Sequence, residues 1–218
     1  FDLNAFSGPF RKESDRACAV LGAALLDARL ESLYSRRLRT FKDELLSNSG
    51  PLGAFSARIK VARALAWISE DVRFDLDQIR SIRNEFAHNF DHELSFANQA
   101  ITDKSRTLRV AQTLIDANEY AASIPHRNLS VEVIRAMGAV FAPPRQRFEV
   151  TVEMLAQHID ELPPDTAEYA GPSLRDELWA LGSNITIKFS AVAIVGAPPP
   201  QPEQSQPAPS PEAGASDA

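Results

Sequence analysis

The stretch "SEDVRFDLDQIRSIRNEFAH", residues 69–88, decides the fold class. Val72, Leu76, Ile79, Arg83, Phe86 and Phe90 recur at spacings of 4, 3, 4, 3 and 4. That is the 3.6-residue period of an amphipathic helix. Ser69 stands where an N-cap hydroxyl would accept an orphan N–H, and Glu70 and Asp71 suit the positive end of the helix dipole. The pattern predicts a helix running to about His88. One slot of its apolar stripe holds Arg83, a residue type seldom buried without compensation. Asn84 and His88, at i,i+4, share the neighbouring face with Arg80.

Upstream, residues 47–68 predict a turn and then a helix. Gly50-Pro51 and Gly53 break the chain, Ser56 is the expected N-cap, and Ile59, Ala62, Leu65 and Ala66 form the apolar face. The glycines do not make a phosphate-binding P-loop, because the closing Gly-Lys-Ser/Thr is missing. Further upstream, residues 12–46 predict one long helix, apolar nearly all round from Ala17 to Leu26, as a central buried helix is. Arg36, Arg37, Arg39 and Lys42 are expected on a solvated face. Downstream, residues 91–103 predict a loop, 104–123 a helix, and 143–162 a helix opened by proline with Phe148, Val152, Leu155 and Ile159 inside. Residues 173–181, "SLRDELWAL", suit a short helix. The β-branched run 185–195 suits a short β segment. The sum is an all-α helical bundle.

Composition sets the outer limits. The formal charge is -6, of which Glu203, Glu212 and Asp217 in the last 22 residues supply three. The rest is only weakly acidic, which argues against a non-specific DNA-binding surface. One cysteine, Cys18, excludes an intramolecular disulfide and a cysteine-built zinc site, and it reads as a small core residue. No signal-peptide pattern is present, and the apolar run 190–197 is far too short to span a bilayer. A cytoplasmic protein without membrane contact is expected. Residues 197–218, rich in Pro, Ser, Gln and Ala, have the composition of a disordered tail. The expected division is a helical domain over 1–165, an extension over 166–196 and that tail.

Two quoted stretches carry a resemblance. "GPLGAFSARIKVARAL" (50–65), followed by "IRSIRNEFAH" (79–88), resembles the mannitol operon repressor family, with flanking helices matching over roughly residues 14–160. The resemblance implies a small helical regulatory protein, non-enzymatic and without a recognisable DNA-reading module, that works through protein partners. A homodimer is expected, and no cofactor. "RNEFAH" also resembles the motif of HEPN domains, where an arginine, a polar residue and a histidine serve a metal-independent ribonuclease at a dimer interface. That likeness implies catalytic roles for Arg83, Asn84 and His88, with RNA as the substrate.

The chemistry of the motif can be stated directly. Histidine titrates near neutrality and takes a proton, and arginine offers phosphate a planar, permanently charged fork. Five helical positions advance by roughly 500°, however, so Arg83 and His88 point about 140° apart. A frayed helix end or a second subunit would be needed for convergence. The structural reading makes Arg83 half of a buried ion pair with Asp15, Asp27 or Glu31, and lets His88 serve the helix C-terminus. His88 and His92 have HxxxH spacing, but Asn89 stands where a zincin carries glutamate, so no metal site is expected. Asp27 and Glu31 on one helix face suit an ion pair better than a catalytic carboxylate pair.

Overall fold

The computed structural model describes residues 3–89, 93–123 and 139–164. Among these residues it holds helices and no strand. The helices are α1 (Leu3–Phe10), α2 (Asp15–Arg37), α3 (Lys42–Leu46), α4 (Phe55–Ala64), α5 (Glu70–His88), α6 (Gln99–Arg106), α7 (Arg109–Ser123) and α8 (Pro144–Glu161). The all-α expectation is met. The expected helix over 173–181, the β segment over 185–195 and the tail over 197–218 lie outside the described residues.

The predicted helix over residues 12–46 is two helices. Ser14 caps α2 by accepting the Ala17 N–H, and the chain leaves helical geometry at Leu38. Phe41 then adopts a left-handed φ of 56° before α3 begins. The turn between α3 and α4 depends on glycine. A Cβ at Gly50 would run into the Glu44 carbonyl, and one at Gly53 into that of Ser47. Helix α4 starts at Phe55 with Ala54 at its cap, so Ser56 is not the N-cap. Ser69 is one: its hydroxyl accepts the Val72 N–H at 3.3 Å. The expected loop over 91–103 contains the first turn of α6, and the predicted helix over 104–123 is divided at Thr107–Leu108 between α6 and α7.

Helices α2, α5 and α8 form the centre. Arg16 at the start of α2 donates to the Phe86 carbonyl near the end of α5. At the opposite end, Tyr34 packs 5.1 Å from Trp67, which lies just ahead of α5. The two helices therefore run antiparallel. Helices α2 and α8 run in the same direction: Cys18 meets Glu149 at one end and Arg36 meets Asp160 at the other. Gly22 lets them approach closely, since a Cβ there would lie 3.0 Å from Phe148 and Val152. A ladder of rings, Phe86 to Phe96 at 5.3 Å and Phe96 to Phe148 at 5.2 Å, joins α5, the segment before α6, and α8. Phe148, Val152, Leu155 and Ile159 are fully buried, as the periodicity of α8 predicts.

Candidate functional site

The buried stripe of α5 is Val72, Asp75, Leu76, Ile79, Ile82 and Phe86. Ile82 fills the slot that spacing alone assigns to Arg83. Both residues lie a helical turn from Ile79 and Phe86, and burial goes to the apolar one. Arg83 and Asn84 are half-buried on the flank, and His88 is exposed.

The acids expected beside Arg83 are taken by other arginines. Asp15 pairs with Arg145 at 2.5 Å. Asp27 and Glu31 both bind Arg58, at 2.5 and 3.0 Å. The i,i+4 carboxylates thus form an ion pair, but with a buried arginine of α4. Arg83 enters no ion pair among the described residues.

Helix α5 stays helical through His88, and the Asn89 N–H closes the last turn on the Glu85 carbonyl at 3.1 Å. The frayed end that would swing His88 toward Arg83 is not there. Within one chain the two side chains leave different faces of a regular helix.

Several charged groups that periodicity did not single out are buried. On α8, Glu153 accepts both Arg11 Nε and Nη2, at 3.0 and 2.7 Å. Glu149 accepts from Arg145 at 2.7 Å and lies 4.0 Å from the Cys18 thiol. Burial raises the Glu149 carboxyl above its ordinary value against the pull of Arg145. Burial, reinforced by Glu149, pushes the Cys18 thiol up to about 12, so it is an inert core group. Arg147 meets no carboxylate among the described residues and donates to the Ser105 and Arg106 carbonyls and to Gln112. The basic cluster at the end of α2 is not a solvated face throughout. Arg37 is buried, donates to the Pro163 carbonyl and lies over Trp67, while Arg36 caps the last carbonyls of α8. No cluster of metal-ligating side chains occurs among the described residues, and none of their helices is long and apolar enough to cross a membrane. His158 is buried on α8; His92 and His126 lie outside the described residues.

The likeness to a known family extends over a defined segment of the chain. Residues 39–137 match the model of the mannitol repressor family. Both stretches that carry the resemblance, 50–65 and 79–88, lie inside this segment. The match covers a little under half of the 218-residue chain. It takes in α3 to α7, whereas the parallel pair α2 and α8 falls outside it. No curated protein and no solved structure matches the chain.

Proposed function

We propose that this protein is a non-enzymatic regulator of the mannitol operon repressor type, acting in the cytoplasm as a homodimer through contacts with protein partners. The observation that carries the reading is the family match over residues 39–137. The way the cations are used supports protein contacts over DNA. Arg11, Arg58 and Arg145 are committed to carboxylates, and Arg36, Arg37 and Arg147 to carbonyl oxygens at helix ends. Phosphate contacts need free Lys and Arg, and they supply most of the affinity for DNA. The test is fluorescence anisotropy with operator DNA at physiological salt. The expected result is weak, sequence-independent binding. Nanomolar, sequence-selective binding by the purified chain would overturn the reading.

A metal-independent ribonuclease of the HEPN type is the second reading. It is favoured by one observation: among the described residues Arg83 has no ion-pair partner, while His88 is exposed on the same helix. Because the two diverge on one helix, that activity requires a second copy to complete each site.

A further inference from the structure

Among the described residues, every buried or half-buried arginine meets an acceptor except one. Arg58, Arg109 and Arg145 hold carboxylates, and Arg37 and Arg147 hold carbonyl oxygens. Arg83, half-buried on α5, holds neither. Arg80, one turn earlier on the same side of the helix, is barely better served. It reaches Asp77 only at 3.5 Å, its Nε is buried without a partner, and Asp77 is already held by Arg73 at 2.7 Å. A half-buried guanidinium has given up part of its water, and only an anion restores what it lost.

The uncompensated charge is two residues wide. Arg73 is spent on Glu70 and Asp77, Lys104 on Glu85, and Arg16 on the Phe86 carbonyl. A nucleic-acid strand needs a row of cations along its phosphates, and here it would meet Asp77 and Glu85, which flank the pair on the same helix. One or two carboxylates fit instead, because a guanidinium fork matches a carboxylate with two parallel hydrogen bonds. We propose that Arg80 and Arg83 form a docking site for an acidic segment of a protein partner, whose carboxylates seat on the two guanidinium groups. Side chains one turn apart on a helix are about 5–6 Å apart at Cβ. The partner's acids match that spacing when they stand one turn apart on a helix or two positions apart on a strand. The site rests on the regulatory reading of the protein. Because the site is read by peptide binding, and that reading by operator binding and RNA cleavage, the two can fail separately.

The test is fluorescence anisotropy with the full chain at low ionic strength, where charge contacts are least screened, using labelled deca-glutamate and deca-uridylate. The wild type should bind deca-glutamate more tightly than deca-uridylate. Arg80→Gln combined with Arg83→Gln should weaken the peptide about tenfold or more, as the loss of two charge-assisted contacts does. Lys60→Gln combined with Arg106→Gln removes two exposed cations elsewhere and should leave it little changed. Arg80→Lys combined with Arg83→Lys keeps the charge without the fork and should fall between; this pair decides the matter if the glutamine pair does not fold. Absence of peptide binding by the wild type would overturn the proposal, and so would binding by either arginine-site pair equal to that of the wild type. An equal loss from Lys60→Gln with Arg106→Gln would overturn it too, because the peptide would then follow net charge. Tighter binding of deca-uridylate, lost with the same two arginines, would overturn it by making nucleic acid the occupant.

Discussion

Asp75 of α5 caps the first turn of α7 at Arg109: its Oδ1 accepts the Arg109 N–H at 2.8 Å, and its Oδ2 accepts the next N–H, that of Val110, at 2.8 Å. A side chain from another helix thus supplies the cap that the sequence before α7 lacks. Its removal leaves two N–H groups in a closed site. Asp75→Ala should cost about 2–4 kcal/mol, the scale of orphaned buried donors. Urea denaturation measures it, and a loss under about 1 kcal/mol would show that water replaces the carboxylate.

The same carboxylate sets a pH dependence. Burial raises Asp75 to about 6, outweighing the two N–H bonds that favour its charged form. In the unfolded chain an aspartate titrates near 4. The folded state therefore holds the proton more tightly. The contribution is fully present below about pH 4 and is lost as pH rises to about 6. Relative to the non-titrating Asp75→Asn, the wild type should lose about 2–3 kcal/mol of stability across that window. A difference that stays constant, or grows with pH, would contradict the assignment.

The arginine that bears structural charge is Arg58, not Arg83. Arg58 is 4% exposed, and both of its acids come from α2. Neutralising the two together, Asp27→Asn with Glu31→Gln, should cost about 2–4 kcal/mol, somewhat below a fully buried pair because the acids are partly solvated. Arg83→Ala should stay within about 1 kcal/mol. The reverse order in thermal denaturation would restore Arg83 to the core.

What the sequence disclosed, and what it did not, follows one physical line. Period and capping alone were enough for α5 and α8, because Ser69, Pro144 and four apolar residues per face all point to one helix. They failed where a tertiary partner decides. Arg83 and Ile82 are equivalent by spacing, and only packing separates them. Arg36 and Arg37 resemble a solvated run until the end of α8 is placed against them. The break at Leu38 has no glycine or proline to mark it, and the left-handed Phe41 that follows carries a side chain. The buried Glu149 and Glu153 are made internal by Arg145, one turn away on α8, and by Arg11, 142 positions away in the sequence. The motif residues were legible as a set, but their divergence on a regular helix was certain only once α5 reached His88 intact.

Two local features of the backbone can be measured separately. Ala66 holds a left-handed φ of 54° at the end of α4, and the Trp67 N–H reaches back to the Ala62 carbonyl at 2.9 Å. This helix-ending turn favours glycine. Ala66→Gly should stabilise by about 0.5–1 kcal/mol, the strain relieved exceeding the entropy added to the unfolded chain. A lowered melting temperature would contradict it.

Gly22 answers in the opposite sense. A side chain there must displace Phe148 and Val152, each 3.0 Å from the first carbon added. Gly22→Val should cost about 1–3 kcal/mol through overpacking between α2 and α8. An unchanged urea midpoint would mean that the two helices are not in close contact.

A protein that regulates by contact does no chemistry on nucleic acid, and this separates the proposed regulator from a ribonuclease. The direct measurement is incubation of wild type and His88→Ala with single-stranded RNA in EDTA at high protein concentration. His88 is exposed at a helix end, so the variant should fold as the wild type does, within about 1 kcal/mol. Both should leave the RNA intact. Cleavage by the wild type that leaves a 2′,3′-cyclic phosphate, and that falls about 10²-fold or more in the folded variant as expected for a lost acid–base group, would contradict it and make the protein a ribonuclease.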